Sequence, residues 1–320
     1  MEPLVSILVP VYNSERWLAH TLRSALNQTW TRKEIIVVDD GSTDQSSAVA
    51  KAFESSTLKL ISQERSGAAA ARNVALGQAQ GQLIQYLDSD DLLDPSKIEH
   101  QVRCLLAETS GAVATSAWTR FYDSQDTAQF VDKTDFRSYS DPVDWLLHAW
   151  NGLGTMPPLS WLLPRPVVDK AGKWNESLSL SDDTEYFTRI VLNSSKIAFC
   201  ADARGYYRSG NPSLSGRRDR RSLESYFLVC RLCTEELLAF EDSSRTRRAC
   251  ASLWQFFAYH TYPDAPDLVR RAEYEARQLG GTELRLNGSL AFNLVSKVGG
   301  WKTAKRLQRI YYTQRYLDQI

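Results

Sequence analysis

The chain has 320 residues, 43% of them apolar and 24% charged, with acidic and basic side chains in equal number. This composition fits a soluble globular protein of roughly two domains, and the zero net charge gives no general attraction to nucleic acid. The five cysteines (Cys104, Cys200, Cys230, Cys233 and Cys250) are odd in number and lack framework spacing, which fits a reducing, cytoplasmic compartment.

Residues 5–9 read as a buried strand ending at Pro10 and the turn Tyr12-Asn13-Ser14, with no basic, apolar leader before it. Ser14 is placed to cap a helix whose Leu18, Leu22, Ala25 and Leu26 share one face. Residues 34–38 form a second strand stopping at Asp39-Asp40-Gly41, and Ser42 or Thr43 caps the next helix, with Ala48, Val49, Ala52 and Phe53. A short strand follows at 58–61, then a helix over 68–79 with Gly81 in its C′ position. Residues 83–87 are a further buried strand, tipped by Asp88, Asp90 and Asp91, and Asp94-Pro95 opens a helix over 96–107. This alternation predicts an α/β fold with a Rossmann-like, mostly parallel sheet flanked by helices, and with functional residues at the strand ends.

Three carboxylates within four positions repel one another unless they are solvated or hold a cation, so the tip at 88–91 is a candidate divalent-metal site. Beyond residue 110 the pattern changes to a strand at 112–117 and a polar excursion over 123–141. Trp145, Trp150, Trp161 and Trp174 offer indole faces that suit either sugar rings or core. Asp182 and Asp183 precede a helix over 186–192, at an N-terminus whose dipole favours negative charge.

After Ser215 come a basic run at 217–221 and helices at 226–240, 249–259 and 270–279, with Pro263 and Pro266 between elements. Cys230 and Cys233 fall within a helical pattern and read as packing rather than metal ligands. Residues 290–316 interleave Lys297, Lys302, Lys305, Arg306, Arg309 and Arg315 with Trp301, Tyr311, Tyr312 and Tyr316, which suits the surface of an anionic membrane. Packing on the catalytic domain and a homodimer contact are the alternative uses of that segment. No apolar run reaches the ~18 residues that span a bilayer.

Four ordered motifs, Ser6-Ile-Leu-Val-Pro-Val-Tyr-Asn13, Val37-Val-Asp-Asp-Gly-Ser-Thr-Asp44, Ala71-Arg-Asn73 and Leu87-Asp-Ser-Asp-Asp91, resemble the successive signatures of family 2 glycosyltransferases. The resemblance runs from residue 4 to about residue 215. It implies a GT-A fold and inverting transfer of a sugar from a nucleotide diphosphate donor, with UDP favoured, usually with Mg²⁺ or Mn²⁺. The acceptor would be a carbohydrate or lipid-linked hydroxyl in cell-surface polysaccharide or glycolipid synthesis. By the same resemblance, Pro10 and Tyr12 line the base and ribose, Asp40 accepts from a pyrimidine N–H, and Asp39 serves the ribose or the fold. Arg72 faces the nucleotide, while Asp88 and Asp90, with Asp91 beside them, meet the ribose and the metal-bridged diphosphate. The segments 172–176 and 182–189 resemble the family's Glu-Asp motif, which puts Asp183 at the catalytic base with Asp182 as the alternative.

Many relatives carry a histidine near the position of Gly210, which this chain lacks, leaving Arg208 and Ser213 as substitute diphosphate donors. Trp161 is a candidate acceptor contact. The implied organisation is a catalytic domain over 1–215, with its nucleotide half at 1–110 and acceptor half at 111–215, and a helical extension over 216–320 that could attach to the inner face of the plasma membrane. A dinucleotide enzyme would need G-x-G-x-x-G after a strand, and a pyrophosphorylase a Gly-rich basic loop after the first strand; neither is present. A non-catalytic sugar-nucleotide-binding or scaffold protein is the remaining alternative, separable by donor hydrolysis.

Overall fold

Every residue of β1 (Val5–Val11) is buried. It runs parallel to β2 (Lys33–Asp40) on one side and to β4 (Leu83–Tyr86) on the other. A strand covered on both faces and both edges needs an unbroken apolar run, which is what residues 7–9 supply. The computed structural model describes residues 2–210, 218–285 and 288–317 of a chain that divides into two compact units. One comprises Met1–Ala149 and Leu153–Gly216, the other Trp150–Gly152 and Arg217–Ile320.

In the first unit, β3 (Leu58–Gln63) lies outside β2, and a short antiparallel β7 (Leu163–Pro164) lies outside β4, giving the order β3-β2-β1-β4-β7. The chain progresses outward in one direction from β1 to β3 and in the other from β1 to β4. That reversal opens a crevice at the carboxyl ends of β1 and β4, where open α/β sheets bind ligands. The turn at 10–13 and the acids at 88–91 therefore border one crevice. A second sheet has the order β5-β8-β6, with β8 (Lys196–Arg208) parallel to β6 (Ala112–Phe121) and antiparallel to β5 (Leu92–Leu93). The sequence reading missed β8, whose burial does not alternate cleanly and whose pairing shifts register opposite Ser116/Ala117.

The helices stand where the apolar periodicity puts them, but several predicted caps are corrected. α1 (Glu15–Leu26) buries Leu18, Leu22 and Ala25, yet the Ser14 hydroxyl turns from the helix to the Ser89 hydroxyl at 2.6 Å. α2 (Ser46–Lys51) follows Gln45 rather than Ser42 or Thr43, because residues 42–44 are spent on the neighbouring turn. α3 (Ala68–Gln78) ends at an extended Ala79, so Gly81 is not a C′ residue. Gly81 is required by close approach instead: a Cβ there would stand 2.6 Å from the Ser6 nitrogen and 2.8 Å from the Leu4 carbonyl oxygen. α4 (Lys97–Leu106) starts after Ser96, and Asp94 holds the Ser96 N–H and hydroxyl rather than a first turn of helix. α5 (Pro142–His148) and α6 (Arg165–Ala171) precede α7 (Asp182–Leu192), which begins at the two acids themselves.

The second unit contains α8 (Arg220–Phe240), α9 (Ser244–Thr261), α10 (Pro266–Gln278) and α11 (Leu290–Leu317). The first three begin four to six residues before the predicted starts, because their polar first turns carry no apolar signal. Cys230 and Cys233 are fully buried in α8. α11 bends at Gly300, whose φ is 78°. Trp301 packs edge-on to Tyr259 at 4.6 Å, Lys302 pairs with Glu273, and Arg309 pairs with Asp264. Trp301 is thus packed within the unit, while Lys302 and Arg309 form ion pairs at its exposed surface. The side chains of 312–317, including Tyr312, Arg315 and Tyr316, lie outside the described residues.

Gly81→Ala should destabilise the first unit by about 2 kcal/mol and lower Tm by about 6 °C, since strand backbone must move to admit the methyl. Calorimetry of wild type and variant checks this, and an unchanged Tm would return Gly81 to a capping role.

Candidate active site

The nucleotide-side motifs form a cross-linked pair of loops. Asn13 adopts a left-handed conformation with φ of 47°, which asparagine tolerates better than most residues. It receives the Thr43 N–H on its side chain at 2.8 Å, while its own N–H donates to Ser42 Oγ. Pro10 is buried within β1. Tyr12 is exposed, and the Arg65 guanidinium lies over its ring at 3.3 Å.

Asp40 is buried, and its carboxylate accepts from Gln63 Nε2, the Arg65 guanidinium, Ser66 N–H and Gly67 N–H. Those four donors fill its acceptor capacity, so Asp40 shapes the loop at 63–67 and is not poised to receive a base N–H. Asp39 accepts from Ser42 N–H through Oδ1, and its Oδ2 has no hydrogen-bond partner among the described residues.

Arg72 is the centre of the site. Its guanidinium donates to Asp88 at 2.9 Å and to Asp182 at 2.8 Å, and lies over the Trp174 indole at 4.3 Å. Burial alone would lower the Arg72 pKa, but Asp88 and Asp182 outweigh it and hold the group charged. Trp174 stacks on Tyr186 of α7 at 4.0 Å. The neighbouring Asn73 exchanges hydrogen bonds with the Trp174 backbone and donates to Glu176. The motif at 71–73 and the segment at 172–176 thus meet directly. The positive charge among the β4-tip acids is an arginine of this chain, an option that the choice between solvent and metal did not include.

At the head of α7, Ser181 is left-handed with φ of 59°, and the two acids after it diverge. Asp182 is engaged by Arg72 and by the Asp183 N–H. Asp183 accepts the Thr184 N–H through Oδ1 and keeps Oδ2 without a partner among the described residues. Burial, reinforced by Asp182, pushes the Asp183 carboxyl up to about 6.

Asp91 is buried, accepts from the Arg208 N–H at 2.8 Å and leaves Oδ2 unpaired. Burial drives its pKa well up, with Asp90 and Asp88 adding to the effect. The Arg208 side chain donates to the backbone carbonyls of Asp90 and Tyr122 and is stacked against Trp17 and Phe121. It braces the acid loop and is not aimed at a diphosphate. Ser213 lies outside the described residues. Trp161 is fully buried, stacked on Phe187 at 4.9 Å, and so is core rather than an acceptor contact. Trp145 and Trp174 are buried likewise.

Sequence reasoning missed Tyr207. Burial pushes its hydroxyl up to about 12, and Asp91, Asp88, Asp90 and Asp183 all contribute, which places a neutral donor in the field of four acids. Only the pairing of β8 with β6, in which Tyr207 stands opposite Arg120, could have shown this.

Among the described residues no group of three His, Cys, Asp or Glu side chains has the spacing of a metal site. The donor chemistry nonetheless suits a hard divalent ion. Mg²⁺ bound with substrate phosphates commonly takes only one or two protein carboxylates. Asp91 stands beside Asp88 and Asp90 with one oxygen unpaired, and burial first, then those two acids, drives its pKa well up.

Residues 6–145 match the model for glycosyl transferase family 2. An uncharacterized glycosyltransferase of Rickettsia prowazekii is 28% identical over 257 residues, 76% of each chain. The glycosyltransferase GlyG of Streptococcus pneumoniae is 29% identical over 223 residues, 67% of this chain and 73% of that one. WfgD of Escherichia coli, a UDP-Glc:alpha-D-GlcNAc-diphosphoundecaprenol beta-1,3-glucosyltransferase, is 41% identical over 104 residues, 32% of this chain and 41% of its own. The structure of S. aureus TarS 1-349 in complex with UDP-GlcNAc superposes with a TM-score of 0.72 at 20% identity, covering 96% of this chain and 91% of that one. The fold is the GT-A arrangement expected from the motifs.

Because Arg72 holds the Asp183 pKa down, Arg72→Gln should move the Asp183 titration above about 6. Carbon-detected NMR of the carboxylate checks this, and an unmoved titration would show that Arg72 does not set the field at the base of the crevice.

Proposed function

We infer that the chain is a family 2 glycosyltransferase that moves a sugar, with inversion, from a nucleoside diphosphate donor to a hydroxyl acceptor. The observation that carries this reading is the linkage, through Arg72, of the acid tip of β4 with the head of α7 at a sheet switch point. This linkage supports a reading in which the diphosphate lies at the β4 tip and the acceptor hydroxyl meets a carboxylate at the head of α7.

Asp183 is assigned as the general base. Asp182 is committed to Arg72, whereas Asp183 retains an oxygen for an incoming hydroxyl proton. A carboxyl pKa near 6 makes it a stronger proton acceptor than an ordinary aspartate while leaving it ionised at neutral pH. Attack by the deprotonating hydroxyl breaks the bond from the anomeric carbon to the diphosphate oxygen, and the proton passes to Asp183. Asp90 and Asp88 would hold Mg²⁺ or Mn²⁺, which when bound supplies neutralisation of the diphosphate charge.

UDP is the favoured carrier. TarS was crystallised with UDP-GlcNAc, and WfgD is named for UDP-Glc. With Asp40 saturated, Asp39 is the acid left to read an imide N–H. The WfgD acceptor is a lipid-linked diphosphate sugar, which supports a role in cell-surface polysaccharide or glycolipid synthesis at the cytoplasmic side of a membrane.

Asp183→Asn should lower kcat by about 10²–10⁴ and leave donor affinity unchanged. In the wild type, kcat/KM should rise with pH through about 6 and level off above it, because the base acts unprotonated. A variant with full turnover would transfer the role to Asp182.

Asp90→Ala should remove the Mn²⁺-dependent part of the thermal shift given by UDP and UDP-sugars. Wild-type turnover by this variant in the presence of chelator would exclude the metal role. A wild-type protein that binds the donor but neither transfers nor hydrolyses it would instead be a sugar-nucleotide-binding protein.

A further inference from the structure

Among the described residues the exposed Leu, Ile and Val side chains are eight, and five of them stand on α11. Leu290, Leu294 and Val298, at a spacing of four, are 90%, 68% and 89% exposed and share one helical face. After the bend at Gly300, Leu307 and Ile310 repeat the pattern at 51% and 54% exposure. The opposite side is held inward, with Phe292 and Ala304 buried and Trp301 against Tyr259 and Tyr262. This is a helix docked by one face that presents aliphatic side chains on the other, an arrangement water does not stabilise.

The charge on that helix selects the occupant. Residues 290–317 contain six Lys or Arg and no Asp or Glu. Lys302 and Arg309 are consumed by Glu273 and Asp264, while Lys297 and Arg306 are exposed beside the two aliphatic patches. A second copy brought face to face would set these cations against each other, which disfavours self-association. No described helix is long and apolar enough to cross a membrane.

We propose that α11 docks in the interfacial plane of an anionic bilayer, with Leu290, Leu294, Val298, Leu307 and Ile310 among the acyl chains and Lys297 and Arg306 on the headgroups. Interfacial helices are built this way, and attachment by a few basic and a few aliphatic residues is reversible and salt-sensitive. The inference stands on the second unit alone and does not depend on the reaction assigned to the first.

The test is flotation of the full chain with vesicles of phosphatidylcholine, alone or with about one third phosphatidylglycerol, at low and high salt. The wild type should float with the anionic vesicles at low salt, be released by high salt and ignore phosphatidylcholine. Combining Leu290→Ser, Leu294→Ser and Val298→Ser should weaken binding about ten-fold or more, and Lys297→Glu with Arg306→Glu should remove its salt-sensitive part. Wild type remaining unbound at low salt, or the serine variant binding like wild type, would overturn the proposal. A concentration-dependent dimer in light scattering that the serine variant abolishes would overturn it in favour of a second copy.

Discussion

Arg72 carries more of this structure than any other side chain. It is nearly excluded from water, and a guanidinium so placed is tolerated only with its charge matched; two of its nitrogens are bonded to carboxylates and Nε is left unpaired. Asp88 and Asp182 match it from the tip of β4 and the head of α7, 16 and 110 residues away in sequence. The flat face of the guanidinium lies on Trp174, which lies on Tyr186, whose hydroxyl meets that of Tyr86 in β4. The two acidic segments of the crevice are thus tied by one cation above one aromatic stack. Removing the cation would leave three carboxylates facing one another without compensation.

The crevice floor is stiffened by polar groups that a simple apolar core would not contain. Lys97 is fully buried and donates to Gln85 of β4 and to Gln101, each at 2.6 Å, and burial pushes its pKa down to about 7. Gln85 and Gln101 pass their amide hydrogens on to the carbonyls of Leu159 and Ser160. Partly satisfied buried networks are costly and fully satisfied ones specify a single arrangement. This one fixes β4 against α4 and the segment at 159–160, beneath the acids that β4 delivers. Asp40 does the same for the loop at 63–67.

What was legible in the sequence was what local pattern controls. The run Ile7-Leu8-Val9 can only be a doubly covered strand, and a strand ending in Asp88 at a sheet switch point can only present that acid to the crevice. What was illegible depended on distant partners. Ser14 has a capping side chain, but Ser89 competes for its hydroxyl. Gly81 sits where a C′ glycine belongs, yet its small size answers to Ser6, 75 residues earlier. Asp39 and Asp40 are interchangeable in sequence and opposite in use, because the donors around Asp40 arrive from residues 63–67. Trp161 and a sugar platform share one residue type, and only burial separates them.

The same charge inventory bears on how an anionic donor can enter. Asp88, Asp90, Asp91 and Asp183 all act on the Tyr207 hydroxyl. The two arginines beside them are committed, Arg72 to Asp88 and Asp182, and Arg208 to the carbonyls of Asp90 and Tyr122. A diphosphate brought among these carboxylates adds negative charge beside two arginines that are already paired. At short range and reduced dielectric, that repulsion exceeds what hydrogen bonds from neutral groups offset. Two ways to offset that charge are that Arg72 exchange a carboxylate for a phosphate, or that a cation arrive with the donor. The first alternative would release Asp182 beside Asp183 and raise the proton affinity of the base as the leaving group binds. The second would leave the Arg72 bridge intact and the base as it is. The two routes are separated by whether the Asp183 titration moves when the nucleotide binds.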